Sequence, residues 1–199
     1  MENKEHVLLC IMGRTASGKD TLANKLCERA GFSQIISYTT RERRTNEGDT
    51  HIFISEEEYR ALDKNGKIAA FTQIGPYHYC CTTDQLYEND VYVIDPIGVQ
   101  HLRELNLPGL RLVTIYINTP DNIRKDRGIN KRGDDRSTFA KRDLAERDQF
   151  RAMLRTADFD YAISNIDWPK AYSVLRHIAN IEGVWKNRLE DETNVKDSN

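Results

Sequence analysis

The chain has 199 residues, 39% of them hydrophobic and 30% charged, and its formal net charge at pH 7 is −2. This length and composition fit one globular domain with a buried core. The slightly acidic balance argues against a protein that binds nucleic acid or a membrane surface through its overall charge, so any basic site has to be local.

An apolar run at residues 7–12 predicts a buried strand. It is followed at once by GRTASGK, which completes the GxxxxGK pattern of a phosphate-binding P-loop (Walker A). The glycines of such a loop let backbone N–H groups surround phosphates, while Lys19 reaches the outer ones. The next segment predicts a helix that directs its positive end at the site and stops at Gly31. We therefore predict a nucleotide phosphate-binding site formed by Gly13, Arg14, Thr15, Ala16, Ser17, Gly18 and Lys19.

The residue after the lysine departs from the pattern, which has serine or threonine there. This chain has Asp20 at that position and Thr21 one step later. A carboxylate beside phosphates is tolerated where Mg²⁺ or its bound water lies between them. Asp20 can equally serve as a favourable charge at a helix N-terminus. We name Asp20 and Thr21 as candidate Mg²⁺ ligands that also border this nucleotide site.

Further buried strands are predicted at residues 34–36, 91–94, 110–117 and 161–164. Helical patterns lie between most of them, which predicts an α/β fold: a three-layer α/β/α core with a parallel sheet. Between residues 45 and 79 the pattern changes to short strands around one helix, which begins at a capping box of Ser55 and Glu58. We interpret this part as an inserted small α+β subdomain. A second interruption, at residues 121–156, predicts two helices joined by the turn KRGDD.

The segment SYTTRERR contains a first group of candidate phosphate ligands. The guanidinium groups of Arg41 and Arg44 can hold a phosphate in a defined orientation through paired hydrogen bonds. Ser37, His51 and Tyr79 supply further donors. The alternative is a solvated charged surface, but a phosphate-binding loop in the same domain favours a second phosphate site.

A second basic group lies between residues 124 and 142, where eight lysines or arginines accompany three aspartates. Arginines that close over a phosphoryl group during its transfer stabilise developing charge and exclude water. We choose Arg127, Arg132 and Arg142 for this role. The alternative is a solvated helix in which acidic neighbours pair with these arginines, namely Asp126, Asp134, Asp135 and Asp143.

The four cysteines, Cys10, Cys27, Cys80 and Cys81, form no CxxC pair and have no metal-ligand spacing, so we expect reduced thiols. No apolar run reaches the length of a membrane helix, and the first ten residues do not read as a signal peptide. We expect a soluble, cytoplasmic protein.

In order and spacing these segments resemble the guanylate kinase family from residue 7 to about residue 181. The motifs that carry the resemblance are the phosphate loop, SYTTRERR, FISEEEY, YHYC, VIDPIGV, DRGINKRGDD and YAISN. The resemblance implies a nucleoside monophosphate kinase that uses ATP and Mg²⁺ to phosphorylate GMP or dGMP, as a monomer or homodimer. It implies a core (6–36, 91–120 and 157–181), an acceptor-binding subdomain (37–90) and a helical lid (121–156). The charged segment that follows predicts a flexible tail (182–199).

By position, the resemblance assigns roles to individual residues. Those expected to hold the acceptor phosphate are Arg41, Arg44 and Tyr79, and those expected to contact guanine are Ser37 and Asp95. Those that resemble the lid arginines are Arg127, Arg132 and Arg142. Asn165 resembles a residue beside the ATP adenine.

The chain also departs from the family at three positions. His51 stands where the family has a phosphate-binding tyrosine, and Cys80 replaces a glycine. Ala70 occupies the position of the glutamate that reads the guanine edge, which removes an acceptor for guanine donors. These departures leave other acceptors open.

Two alternatives follow. The GKD variant and the histidine before IFIS resemble ribose 1,5-bisphosphate phosphokinases, whereas Arg44 and Asp95 favour a nucleotide acceptor. The second alternative is a non-catalytic binding module, as in scaffolding proteins with guanylate kinase-like domains. Lys19 and the lid arginines argue against that module.

Overall fold

The computed structural model of the chain describes residues 5–43 and 51–184. Arg44 and most of the predicted tail lie outside these ranges. The described elements are β1 (His6–Met12), α1 (Lys19–Ala30), β2 (Tyr38–Thr39), β3 (Ile52–Phe53), α2 (Glu56–Lys64), β4 (Ile68–Ile74), β5 (Tyr77–Thr82), α3 (Thr83–Glu88), β6 (Val91–Val93), α4 (Pro96–Leu105), β7 (Leu110–Asn118), α5 (Asp121–Lys125), a π-helical turn (Asp126–Lys131), α6 (Arg136–Thr156), β8 (Tyr161–Ser164) and α7 (Trp168–Ile181).

The first sheet has four parallel strands in the order β6-β1-β7-β8. Successive side chains of a strand point to opposite faces, and those of β1 enter two different cores. Leu9 and Ile11 pack with α1 and α7, whereas Leu8 and Cys10 pack on the side of α3, α4 and α6. The predicted α/β fold, with helices on both faces of a parallel sheet, is therefore confirmed.

The strand predicted at residues 34–36 is wrong. Gln34 forms a single bridge with Val91, and the N–H of Ile35 donates to the Val91 carbonyl at 2.9 Å. The side chain of Ile35 is buried, so the apolar pattern reflects burial at the sheet edge. Pairing ends there because the chain turns away to enter the second sheet at Tyr38.

The second sheet is mixed, with the order β3-β2-β5-β4. Its helix α2 begins at the predicted capping box, which is confirmed: Glu58 N–H donates to Ser55 Oγ at 3.1 Å, and Ser55 N–H donates to the Glu58 carboxylate at 2.7 Å. Strand β4 packs on α4, and its Ala69 and Ala70 share a core with Leu8 of β1. The two sheets therefore form one packed body.

The segment of residues 121–156 runs from α5 through the π-helical turn to α6, a helix of 21 residues. Asp135 caps α6 by accepting from Thr138 N–H at 2.9 Å. A Cβ atom on Gly128 of the π-helical turn would lie 2.5 Å from the Phe139 ring, so α6 packs closely on that turn. Within the described ranges, no helix combines the length and low polarity of a membrane span.

Candidate active site

The loop of residues 13–18 connects the carboxyl end of β1 to the start of α1. Ligands of open α/β sheets bind beyond the carboxyl ends of the strands. The loop turns through left-handed backbone at Ala16 (φ 58°) and Gly18 (φ 87°), and Ser17 N–H donates to the Arg14 carbonyl at 2.9 Å. It is therefore a compact turn at the positive end of α1, where an anion is favoured.

The carbonyl oxygen of Ser17 fastens the loop to the rest of the domain. It accepts hydrogen bonds from Thr119 Oγ1 at 2.9 Å, Asn165 Nδ2 at 2.8 Å and Arg127 Nη1 at 3.3 Å. Thr119 follows β7 and Asn165 follows β8, so the ends of two neighbouring strands hold the loop. Asn165, expected beside the ATP adenine, is buried and contacts the loop backbone.

Gly18 leaves no room for a side chain, because a Cβ atom there would lie 2.4 Å from Asn165 Nδ2. We expect Gly18→Ala to displace the Asn165 amide from Ser17 and to lower the free energy of unfolding, measured in urea, by about 2 kcal/mol. The control is Gly66→Ala, because Gly66 is also left-handed (φ +63°) but has nothing within 4 Å of an added Cβ atom; this variant should lose only about 1 kcal/mol. Equal losses would contradict the role of the Asn165 contact.

The backbone of Thr15 is held on both sides by charged side chains from residues 121–156. Its N–H donates to Glu146 Oε2 of α6 at 2.6 Å, and its carbonyl accepts from Arg124 Nη1 of α5 at 3.0 Å. Burial raises the pKa of the Glu146 carboxyl, while the Thr15 hydrogen bond and the nearby Lys19 charge oppose that rise. The loop is thus in direct contact with both helices.

Arg124 is 1% exposed and has three acceptors. Besides the Thr15 carbonyl, it donates to Asp143 Oδ1 at 2.7 Å and Asp121 Oδ1 at 2.6 Å. Its hydrogen bond lowers the pKa of the Asp121 carboxyl. Arg14 of the loop lies 2.8 Å from the same Asp143 oxygen. This network joins the loop, α5 and α6.

Lys19 begins α1, and its ammonium lies 3.3 Å from the Asp20 carboxylate, whose side chain is 68% exposed. Thr21 is also exposed. Among residues 5–43 and 51–184, no group of three or more His, Cys, Asp and Glu side chains could hold a metal ion. Mg²⁺ commonly takes only one or two protein oxygens and completes its shell with phosphate oxygens and water. Asp20 and Thr21 are exposed residues at the start of α1 beside the loop, and their side-chain oxygens fit that requirement.

The three candidate lid arginines have different partners. Arg127 donates to the Ser17 carbonyl and, at 3.3 Å, to the Ile166 carbonyl, and burial lowers its pKa. Arg132 makes two hydrogen bonds to Asp134, and Arg142 lies 3.8 Å from the same carboxylate. The structure brings Arg127 to the loop, whereas Arg132 and Arg142 pair with an acidic neighbour, as the alternative interpretation predicts.

The second sheet brings Arg41, Tyr79 and His51 together. Arg41 is buried, and its Nε donates to Tyr79 Oη at 3.1 Å. The His51 ring meets the Tyr79 ring edge-on at 5.5 Å between centroids. Arg44, also predicted for this site, lies outside the described residues. Arg41 and Tyr79 can therefore act as one unit on an anion.

Ser37 and Asp95 are both engaged within the protein. Ser37 Oγ lies 3.3 Å from Tyr92 Oη. Asp95 accepts from the α4 backbone at 2.7 Å and from Thr72 Oγ1 at 3.1 Å. An ionised carboxylate has more lone pairs than these two bonds use, so Asp95 can accept further donors. Ala70 is buried in the core and presents no polar side chain there.

The sequence alone does not single out Thr119, Arg124 and Glu146, although all three contact the loop. Thr119 could have been found, because a polar residue just after a buried parallel strand occupies the edge where ligands bind. Arg124 and Glu146 lie in segments rich in charge. No local pattern distinguishes them from their exposed neighbours.

The guanylate kinase family model matches residues 5–182. The chain is 27% identical to the guanylate kinase of Wolbachia pipientis wMel, over 97% of this chain and 98% of the relative. It is 30% identical to that of Coxiella burnetii (strain RSA 493 / Nine Mile phase I), over 88% and 87%. The crystal structure of guanylate kinase from Anaplasma phagocytophilum has the same fold, with a TM-score of 0.63 and 24% identity across 90% of this chain and 87% of that one. The chain belongs to the guanylate kinase family.

Proposed function

We propose that the protein is a nucleoside monophosphate kinase that transfers the γ-phosphoryl group of ATP to GMP or dGMP. The observation that carries this proposal is the loop of residues 13–18 at the start of α1, with Lys19 beside it, in a chain of the guanylate kinase family. Such a reaction brings two anionic ligands together, so each needs its own cationic side chains.

The donor phosphates would bind at the loop. Its backbone N–H groups and the N-terminus of α1 provide donors for phosphate oxygens, and Lys19 adds a charged donor. Arg127, already hydrogen-bonded to the Ser17 carbonyl, lies close enough to contribute positive charge. These groups stabilise charge on the transferring phosphoryl group without a protein nucleophile.

The acceptor phosphate would bind at Arg41 and Tyr79, whose mutual hydrogen bond prepares both for an anion. Arg44 and His51 are proposed to complete this site. Ser37 and Asp95 would contact the acceptor base, and Asp95 retains lone pairs for base N–H groups.

Mg²⁺ bound with ATP would neutralise charge on the phosphate oxygens. Asp20 and Thr21 are the residues that would hold it, directly or through water. Arg132 and Arg142 would exchange their Asp134 partner for phosphate oxygens when α6 moves toward the acceptor, and this closure would exclude water.

We also propose a cytoplasmic setting and a monomer or homodimer. All four cysteines are free, as in a reducing compartment. Burial is the main cause that raises the pKa of Cys10 to about 12, so this thiol stays protonated and unreactive.

A sugar phosphate acceptor is the second candidate, and the buried alanines of β4 favour it. Ala69 and Ala70 give this strand no carboxylate near Asp95, so a guanine ring has fewer acceptors for its N–H groups. An enzyme rejects a wrong acceptor when that acceptor leaves buried polar groups of the site without partners. Ala69 and Ala70 supply no such group.

Turnover with ATP and Mg²⁺ should be measured for GMP, dGMP, the other nucleoside monophosphates and ribose 1,5-bisphosphate. We expect the highest kcat/KM for GMP or dGMP, because Arg41, Tyr79 and Asp95 can bind both the phosphate and the base. Reaction of ribose 1,5-bisphosphate alone would replace the first candidate by the second. Absence of ATP binding and of turnover with every acceptor would favour a non-catalytic module.

A further inference from the structure

The N–H of Thr15 is directed at a carboxylate of the protein itself. Glu146 Oε2 accepts from it at 2.6 Å, while the Thr15 carbonyl is held by Arg124. A backbone N–H in a loop of this type is a donor for phosphate oxygen. A carboxylate oxygen satisfies the same donor with the same geometry and the same sign of charge.

Glu146 is partly buried among charged groups of the loop, α5 and α6. It is half-buried, and it lies one helical turn beyond Asp143, which pairs with Arg124 at 2.7 Å. Burial raises the pKa of its carboxyl, while the Thr15 hydrogen bond and the charges of Lys19 and Arg124 oppose that rise. A carboxyl group of the protein thus already holds the Thr15 N–H among the cationic groups of the loop.

We propose that Glu146 is an internal competitor of the nucleotide phosphates, holding the Thr15 N–H until a phosphate replaces it. This inference rests on the proposed function of the loop as the ATP site. Because Glu146 belongs to α6, a bound phosphate would break one of the contacts that hold α6 to the loop, and the position of α6 would in turn change phosphate affinity. Glu146 therefore lowers ATP affinity, and it links ATP binding to the movement of residues 121–156.

The test compares Glu146→Gln with the wild-type protein by calorimetric titration with ATP plus Mg²⁺ and, separately, with inorganic tripolyphosphate. Glutamine keeps the size of the side chain but lacks the charge that repels phosphate. We expect both ligands to bind the variant about tenfold more tightly, since a charge-assisted hydrogen bond to a competing anion is removed.

Asp148→Asn is the matched control. Asp148 lies on the same helix with its side chain 85% exposed, and the substitution removes the same charge. It should leave both affinities within about twofold, because exposed charges are screened by solvent and salt. Glu146→Ala, which preserves helix propensity, should act in the same direction as Glu146→Gln and covers the case in which the glutamine variant folds poorly.

Unchanged or weaker binding by the Glu146 variants would overturn the inference, and so would an equal gain in Asp148→Asn. These outcomes leave the proposed function intact as long as the wild-type protein binds ATP. If neither the wild-type protein nor any variant binds ATP or tripolyphosphate, the proposed function of the loop fails, and the inference fails with it.

Discussion

Replacing Lys19 with alanine should reduce kcat/KM for phosphoryl transfer by about 1000-fold or more, because one preorganised positive donor at a transferring phosphoryl group contributes at this level. The fold should remain intact. Lys19 is the first residue of α1, and its ammonium pairs with the exposed Asp20 at 3.3 Å, an ion pair of little value for stability. Coupled-assay kinetics and circular dichroism of the same sample check both parts of this expectation.

The control for Lys19→Ala is Lys25→Ala on the same helix. Lys25 pairs with Glu28, away from the loop, so its loss should leave kcat/KM unchanged. Activity of Lys19→Ala within about tenfold of the wild-type value would count against a catalytic loop. A loss of activity accompanied by a lost circular dichroism signal would instead indicate a structural role for this lysine.

Local patterns predicted the features that leave a signal within a few residues of sequence. The strand at residues 7–12, the helix that ends at Gly31 and the capping box of Ser55 and Glu58 all form as predicted. The helix end and the capping box are defined by a left-handed turn or hydrogen bonds between residues no more than four apart. Strand β1 pairs with the distant strands β6 and β7, and its uninterrupted apolar run made it predictable. The error at residues 34–36 has the opposite cause, because burial against a neighbouring strand produced an apolar pattern without a strand.

The contacts that hold the loop could not be predicted in this way, because they join residues more than 100 positions apart. Glu146 reaches Thr15, and Asn165 and Thr119 reach Ser17, only after the parallel sheet has aligned the ends of β1, β7 and β8. The resemblance suggested Asn165, although for the adenine rather than for the loop. Charge composition located the basic segment at residues 124–142, but it could not separate a buried arginine from exposed ones.

The burial of Arg124 has a consequence for stability that an exposed arginine would not have. We expect Arg124→Met to lower the free energy of unfolding by about 3 kcal/mol, since the substitution removes a buried charged donor from the Thr15 carbonyl and from Asp143, which keeps only Arg14 among the described residues. The Asp143 carboxylate would lose a donor at 2.7 Å, and the Thr15 carbonyl would lose one at 3.0 Å. Arg124→Lys should recover only part of the loss, because one ammonium cannot match the planar geometry that serves three acceptors.

Arg60→Met is the control for Arg124→Met, because Arg60 pairs with Glu56 at 4.0 Å and its side chain is 76% exposed. Such a surface pair is expected to contribute less than about 0.5 kcal/mol. Urea denaturation of the three variants measures these differences, and thermal melting should place Arg124→Met about 10 °C below the wild-type protein. A loss for Arg124→Met as small as that for Arg60→Met would mean that Asp121 and Asp143 find solvent when the guanidinium is removed. In that case the network would orient the loop without stabilising the fold.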